Sequence, residues 1–118
     1  MSVAYVMIKV AVSMYFMKII DEVDISGLGF EKIPDIFSDV KVENYFDCTD
    51  NFLTSLEGAP KEVGGNFYCP YNPLTSLEGL PKEIGEDLYI SFAKEIHFTE
   101  EEIRKVSKIK GKVYILDA

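Results

Sequence analysis

Several chemistries are excluded by what the sequence lacks. The chain of 118 residues contains one His, two Cys and no Trp. Ordinary zinc sites need a cluster of Cys and His ligands, and hydrolytic triads need a His beside a Ser and an acid, so neither site is expected. Only 12 Lys and Arg oppose 20 Asp and Glu, for a net charge of −8. Because nucleic-acid affinity depends mainly on cations that neutralise phosphates, this balance argues against direct nucleic-acid binding.

The residues that are abundant indicate a folded single domain. Hydrophobic residues make up 47% of the sequence and charged residues 27%. The apolar fraction is too high for intrinsic disorder, and a chain of this length can bury roughly two thirds of the surface that it exposes when unfolded. We therefore expect one soluble domain over residues 1–118. A cytoplasmic location is a separate expectation.

The two cysteines, Cys48 and Cys69, occur in corresponding contexts, NYFDCTDNFLTSL and GNFYCPYNPLTSL. Two cysteines do not make a disulfide framework, and neither has a basic neighbour that would lower its thiol pKa. We expect both to be reduced core residues with a structural role. A single bridge between stacked turns and a reactive thiol are the alternatives.

The first twenty residues form a strongly apolar segment. Every even position from Ala4 to Phe16 is apolar, and this period of two predicts a strand or strand pair with one buried face. No Gly or Pro turn occurs inside the segment, so the usual hairpin signal is missing. A helix and a membrane anchor are the alternatives, although Lys9 interrupts the apolar run. Later translation starts stay open at Met7, Met14 and Met17.

An internal repeat organises the rest of the sequence. LTSLEGAPKEVGGNFYC begins at Leu53 and its close counterpart LTSLEGLPKEIGEDLYI begins at Leu74. The pattern continues in both directions with a slightly longer spacing, so that Val23 corresponds to Phe46 and Val113 to Leu88. Each unit contains an alternating triplet, whose outer residues should face inward and whose middle residue should face outward. The triplets are 23–25, 46–48, 67–69, 88–90 and 113–115.

The repeat also predicts how the units associate. One unit cannot bury its own apolar face, so the units must stack, with each strand pairing in parallel with the next. Pro60 and Pro81 exclude a long helix in the middle units, and recurring glycines supply sharp corners. The sequence therefore predicts an α/β, mostly β fold, a short solenoid of about four turns with a parallel sheet and thin connections.

This repeat resembles the leucine-rich repeat family. The family pattern LxxLxLxxNxL, read from its strand onward as LxLxxNxLxxL, is matched over residues 67–77 with Phe67 and Cys69 at the strand positions, and again over residues 46–56. The variant LTSLEGxPKEVGGxFYCxxN is similar to repeats in many proteins encoded by bacteriophages and bacteria. The resemblance covers residues 23–98 and implies that Asn51 and Asn72 bond backbone groups of neighbouring turns. Because Leu28 and Ala93 stand where Asn would continue the series, we expect a ladder of only two asparagines.

Both ends differ from the middle units. Thr99 and Glu102 form a capping box, which predicts a helix of about ten residues before Gly111 and then a strand over 112–116. The apolar stripe of this helix comprises Ile103, Val106 and Ile109. The expected organisation is an N-terminal strand cap over 1–22, repeats over 23–98, and a C-terminal helix–strand cap over 99–118.

The middle residues of the triplets should line one face of the parallel sheet. They form a stripe of tyrosines that continues into carboxylates, and Tyr is enriched at protein interfaces because it combines contact area with a hydroxyl. We expect this face to bind a protein; the alternative is that aromatic residues simply suit strands and shield the sheet. The candidate binding residues are Asp47, Tyr68, Tyr71, Tyr89, Phe92 and Tyr114.

No motif supports an enzyme, and no catalytic residue, cofactor or metal is expected. The run Glu100–Glu102 suits the first turn of a helix, where acids interact favourably with the helix dipole. The leading hypothesis is a non-enzymatic protein–protein interaction module, without a membrane or nucleic-acid partner. The resemblance adds a setting: a phage accessory protein that binds and inhibits or redirects a bacterial host or defence protein in the host cytoplasm.

Two other functions stay open. The acidic surplus would suit a nucleic-acid mimic that occupies the cationic groove of a DNA- or RNA-handling enzyme, although acids also serve solubility. A homodimeric scaffold would use the apolar N-terminal strand as an edge that pairs with a second copy.

Overall fold

The computed structural model describes residues 7–13 and 18–117, with side chains described from residue 18 onward. This part of the chain contains ten strands, one short α-helix and one 3₁₀ turn. The strands are β1 (Met7–Ser13), β2 (Lys18–Asp24), β3 (Val40–Val42), β4 (Phe46–Asp47), β5 (Glu62–Val63), β6 (Phe67–Cys69), β7 (Glu83–Ile84), β8 (Leu88–Ile90), β9 (Lys108–Ile109) and β10 (Val113–Ile115). The helix α1 spans Glu100–Val106, and the 3₁₀ turn spans Asp35–Phe37.

The strands form one sheet that branches at β2. The first half of β2 pairs with β3 and its second half pairs with β4, both in parallel. From β2, one parallel ladder continues through β4, β6, β8 and β10, and a second continues through β3, β5, β7 and β9. The predicted fold class, an α/β, mostly β fold with a parallel sheet, is confirmed.

The register of the first ladder follows the sequence repeat. Phe67 pairs with Phe46 on one side and with Leu88 on the other, which are its equivalents in the neighbouring repeats. The longer spacings at the two ends are accommodated without a change of register, since Val23 pairs with Phe46 and Val113 pairs with Leu88. The predicted alignment of the five triplets is confirmed. Equivalent repeat positions therefore share a face of the ladder.

The second ladder was not predicted. Strands β5 and β7 contain two residues each and lie in segments that were expected to be thin connections. They pair because neighbouring repeats lie one strand spacing apart, which brings equivalent backbone groups within hydrogen-bonding range. The buried residues that follow one another along this ladder are Val42, Val63, Ile84 and Ile109.

Glycines at the corners are required by close stacking of the turns. A Cβ on Gly85 would collide with the carbonyl oxygen of Gly64, its counterpart one repeat earlier. Gly79 has a φ of +88°, which L side chains rarely adopt, and a Cβ there would overlap the backbone of Leu56. A side chain at either position would force neighbouring turns apart.

The core is built from inward residues of both ladders. In the first four triplets the outer residues are fully buried and the middle one is partly exposed, as the alternation predicted. The rings of Phe46 and Phe67 stack at 5.4 Å, and Phe37 meets Phe46 edge-on at 5.5 Å. The fifth triplet differs, because Ile115 is 44% exposed at the end of the ladder.

Asn51 and Asn72 connect neighbouring turns through their buried side chains. Asn72 Oδ1 accepts hydrogen bonds from the N–H groups of Asn51 and Leu53 at 3.0 and 3.1 Å, and its Nδ2 donates to the carbonyl of Cys48 at 2.9 Å. Asn51 repeats this arrangement one turn earlier, with its Oδ1 accepting from the N–H of Phe30 at 2.9 Å. These are bonds of the kind that the resemblance implied for the two asparagines.

The N-terminal segment forms an antiparallel strand pair, in which β1 pairs with β2 despite the missing turn signal. The register shifts between Ile8 and Val10 and again between Val10 and Val12. The helical alternative is therefore wrong over Met7–Ser13. The sequence predicts that the even positions from 4 to 16 are buried, and these positions lie outside the residues whose side chains the structure describes.

The helix α1 begins as predicted and ends earlier. Thr99 Oγ1 accepts a hydrogen bond from the N–H of Glu102 at 3.1 Å, and Glu102 Oε1 accepts from the N–H of Thr99 at 2.8 Å, which completes the capping box. The expected stripe is wrong beyond Ile103, because Val106 is 51% exposed and Ile109 lies in β9. Pairing of Ile109 with Ile84 in the second ladder requires the chain to leave the helix.

Arg104 fastens α1 to the last turn. Its Nε donates to Glu100 Oε2, its Nη1 to the carbonyl of Ile109 and its Nη2 to the carbonyl of Gly111, each at 2.8 Å. Charge-assisted bonds of this kind are stronger than neutral ones. One guanidinium thus links the helix to the corner between β9 and β10.

Candidate protein-binding surface

The outward residues of the first ladder form a continuous row. Backbone pairing orders its members along the ladder as Asp24, Asp47, Tyr68, Tyr89 and Tyr114. An adjacent row consists of the residues that precede each triplet, Glu22, Tyr45, Asn66, Asp87 and Lys112. We call these ten residues the tyrosine–acid face. It contains the predicted residues Asp47, Tyr68, Tyr89 and Tyr114.

The three tyrosines of the first row stack on one another. Ring centroids lie 5.0 Å apart for Tyr68 and Tyr89 and 4.7 Å apart for Tyr89 and Tyr114, with interplanar angles of 21° and 15°. These separations equal the spacing between neighbouring strands, about 4.8 Å, so the rings stack along the ladder direction. The stack ends at Tyr68, and the next position in the row is Asp47. One ring face of Tyr68 is therefore turned toward β4.

Asp24 and Asp47 are held in fixed orientations by local hydrogen bonds. Asp24 Oδ1 accepts from the N–H and the hydroxyl of Ser26 at 2.9 and 2.6 Å, and Asp47 Oδ1 accepts from the N–H of Thr49 at 2.9 Å. Within residues 18–117, Oδ2 of neither aspartate has a hydrogen-bond partner. Each carboxylate therefore keeps one oxygen for an external donor.

A groove of about 370 Å³ lies beside Tyr68 at the corner between the ladders. Its lining includes Glu22, Tyr45, Tyr68, Gly64, Gly65 and Glu86. The ring of Tyr45 stands at 72° to that of Tyr68 with centroids 6.4 Å apart, and its hydroxyl donates to Glu22 Oε2 at 3.3 Å. Asn66 Nδ2 donates to the hydroxyl of Tyr68 at 2.9 Å. These bonds restrict the rotation of both rings.

The tyrosine–acid face is strongly negative. Four of its ten residues are carboxylates, and its single cation, Lys112, lies at the β10 end. Burial, and to a smaller extent the nearby Glu22 carboxylate, raises the pKa of Tyr45. Burial is also the largest cause that raises the pKa of Tyr89, and the neighbouring Tyr114 contributes next. Both shifts disfavour a further negative charge on the face, and the same field favours cationic ligands.

Tyr71 lies outside the two rows, at the end of β6. The residue is 53% exposed, and its N–H donates to the buried hydroxyl of Ser91 at 2.7 Å. Its φ of +61° matches the φ of +60° at Asp50, its counterpart one repeat earlier. A left-handed conformation is unfavourable for tyrosine because Cβ approaches the following carbonyl oxygen. The surrounding turn therefore holds Tyr71 in a strained conformation.

Phe92 is buried, so its predicted place on an exposed binding surface is wrong. Only 6% of the residue is exposed, and its ring contacts that of Phe98 at 5.1 Å. The sequence repeat breaks here, and the segment 93–98 brings Ile96 and Phe98 against the core. Phe92 therefore supports the end of the stack from inside.

Both cysteines lie in the core and neither is in a disulfide. Burial raises the pKa of the Cys48 thiol and of the Cys69 thiol, with a further contribution at Cys48 from the Asp47 carboxylate. The reactive thiolate form is therefore strongly disfavoured at both positions.

Sequence reasoning did not identify Glu22, Asn66 and Asp87 as members of the candidate surface. The signal was present in the alternation, because each residue lies two positions before the outward residue of its triplet and so shares its face. These positions were hidden because their residue types differ from repeat to repeat.

Comparisons with known proteins find no matching family, no matching curated protein and no matching solved structure. The relationship to leucine-rich repeats stays a prediction. Within the described ranges, no helix is long and apolar enough to cross a membrane. Among the same residues, no group of three or more His, Cys, Asp and Glu side chains is placed to hold a metal ion.

Proposed function

We propose that this protein is a non-enzymatic protein–protein interaction module that binds its partner through the tyrosine–acid face. In this proposal the chain is a short leucine-rich-repeat-like solenoid closed by a distinct unit at each end. The observation that carries the proposal is the partly exposed stack of Tyr68, Tyr89 and Tyr114. Rings that are already ordered lose little entropy when a partner covers them.

The setting of this function is proposed from the resemblance alone. Repeats of the form LTSLEGxPKEVGGxFYCxxN are similar to those of bacteriophage and bacterial proteins. A phage accessory protein that inhibits or redirects a bacterial host or defence protein, in the host cytoplasm, fits a small binding module without catalytic groups.

Replacing two stacked rings tests the proposal. Tyr68→Ala combined with Tyr89→Ala is expected to weaken partner binding at least about a hundredfold, because central interface aromatics each contribute about 2 kcal/mol or more. The measurement is affinity capture of the tagged protein from a bacterial lysate at low and high salt, with identification by mass spectrometry. The matched control is Lys41→Ala combined with Glu62→Ala, which removes an exposed ion pair (3.7 Å) on the second ladder.

The two variants should behave oppositely. The proposal expects one protein that the wild type and the control variant retain at high salt and that the tyrosine variant loses. Equal capture of that protein by all three chains would show that the face is not the binding surface.

An acidic nucleic-acid mimic is a second candidate, supported by the net charge of −8 and by the four carboxylates of the face. Mimicry would depend on distributed charge, so capture would decline steeply with salt and would survive loss of the tyrosines. The captured proteins would then be enzymes that handle DNA or RNA.

A homodimeric scaffold is a third candidate. In the described part of the chain β1 pairs with β2 alone, and in this candidate the other edge of β1 pairs with a second copy. Light scattering over a concentration series would detect such a dimer, and the tyrosine substitutions should not affect it.

A further inference from the structure

We propose that the tyrosine–acid face binds an arginine side chain of its protein partner, with the guanidinium stacked on Tyr68 and paired with the carboxylate of Asp47. This inference rests on the proposed function and specifies the chemistry that the partner presents. It follows from the way in which the tyrosine stack ends.

The stacked series stops at Tyr68, and on the β4 side the ring of Tyr45 meets Tyr68 at 72° with centroids 6.4 Å apart, so it contacts Tyr68 without stacking on it. Ring separations of 5.0 and 4.7 Å show that adjacent strands of this ladder accommodate planar groups in stacking contact. The next position in the row belongs to Asp47, which pairs with Tyr68 and carries a carboxylate in place of a ring. A guanidinium is planar and stacks readily on aromatic rings, so it can continue the series beyond Tyr68.

The carboxylates beside this position are suited to the same ligand. Oδ1 of Asp47 and Oδ1 of Asp24 are occupied by backbone donors, which fixes both side chains and leaves each Oδ2 for a donor from outside. Arginine presents several N–H groups in one plane, so it can stack and donate at the same time. Lysine carries a compact, strongly hydrated charge and cannot do both.

The surrounding field favours the cation. Glu22 and Asp87 belong to the adjacent row, and Glu86 lines the groove next to Tyr68. Lys112 lies three strands from Asp47, roughly 14 Å away at the spacing between strands. That distance exceeds the Debye length of about 8 Å at physiological salt, so Lys112 does not offset the acids near Asp47.

The remainder of the face indicates a polypeptide rather than free arginine. The groove of about 370 Å³ beside Tyr68 gives the aliphatic stem of an arginine a place to lie. Tyr89 and Tyr114 continue the surface beyond the proposed arginine site, where they can contact residues that flank the arginine in the partner. A basic, extended segment of a protein therefore matches the face in both charge and shape.

The test uses a synthetic Gly/Ser peptide with one central arginine and an identical peptide with citrulline, the neutral isostere of arginine. Binding is followed by NMR of the peptide, since a guanidinium stacked on Tyr68 shifts the arginine δ protons upfield. We expect the citrulline peptide to bind about tenfold more weakly, because it lacks the charge-assisted bond. Tyr68→Leu should abolish the upfield shift, whereas Tyr68→Phe should retain it.

Substitution of single carboxylates shows which negative charge contributes to binding of the arginine peptide. Asp47→Asn keeps an oxygen that accepts from Thr49 and removes the negative charge, so it should weaken binding of the arginine peptide about tenfold. Asp50→Asn is the matched control, because Asp50 is an exposed acid outside the face and Asn tolerates its φ of +60°. The control should bind as the wild type does.

Three results would overturn the arginine site: equal binding of the arginine and citrulline peptides, no binding of either, or equal losses from Asp47→Asn and Asp50→Asn. The last result would indicate general attraction to an acidic protein. Failure of the proposed function would give a different result. In that case Tyr68→Ala combined with Tyr89→Ala would not change the amount of partner that the protein captures. If capture of the partner requires the tyrosines but not Asp47, the proposed interaction module is supported and the arginine site is excluded.

Discussion

Among single residues, Tyr71 shows most clearly how binding and stability can oppose each other. The residue is more than half exposed, so its ring contributes little to packing, and its backbone is left-handed. Asp50 occupies the equivalent position one repeat earlier and suits this conformation better, because Asp and Asn tolerate a positive φ. A tyrosine at such a position is what a role in partner binding would predict, since the fold itself is better served by Asp or Asn there.

Tyr71→Asn is therefore expected to stabilise the protein. Relief of the left-handed strain should raise the free energy of unfolding by about 1 kcal/mol, measured by chemical denaturation. The same substitution should weaken binding of the captured partner if Tyr71 lies in the interface. Asp50→Asn is the control and should leave stability nearly unchanged. A loss of stability in Tyr71→Asn would mean that packing of the ring outweighs the strain.

Residue-scale predictions succeeded where the repeat is regular. The role of Asn51 and Asn72 was implied by the resemblance to leucine-rich repeats, whose pattern both regular units match. Phe92 could not be assigned because it lies where the repeat breaks, and its burial depends on Phe98 from a segment without a counterpart. Local alternation cannot predict a contact of that kind.

At the scale of elements, the sequence predicts strands well where apolar residues alternate. The triplets of the first ladder have apolar outer positions in every unit, and their register follows directly from the period. Strands β5 and β7 carry no such signal, because they combine one Glu with one apolar residue and follow Pro-Lys. They exist because stacked repeats bring their backbones together, which is a tertiary effect.

The end of α1 illustrates the same limit. Ile103, Val106 and Ile109 have helical spacing, but Ile109 is recruited by the second ladder and Val106 remains exposed. Three bonds from Arg104 then hold the shortened helix against the turn that follows it.

Arg104→Lys tests whether those bonds stabilise the last unit. Lysine keeps the charge but cannot reach Glu100 and two carbonyl groups together, so the free energy of unfolding should decrease by about 1–2 kcal/mol. Hydrogen exchange, read by mass spectrometry, should accelerate in β9 and β10 more than in β4 and β6. Lys105→Gln, on the exposed side of the same helix, is the control. Unchanged exchange in β9 and β10 would contradict the role of Arg104.

At the scale of the whole molecule, the two ladders that diverge from β2 give the protein surfaces of different chemistry. The first ladder presents the tyrosine–acid face. The second presents a row of mixed charge along the pairings of Lys41, Glu62, Glu83 and Lys108. A face with stacked aromatics and predominantly negative charge has the features of a recognition surface, whereas mixed charge is typical of a solvated one.

Site-specific photo-crosslinking measures this difference most directly. Benzoylphenylalanine would replace Tyr68 in one protein and Lys41 in another, and both would be irradiated in a bacterial lysate. We expect a discrete protein adduct from position 68 and none from position 41. The claim that the tyrosine–acid face binds a partner would be contradicted by any of three results. These are the same adducts from both positions, an adduct from position 41 alone, and no adduct from position 68.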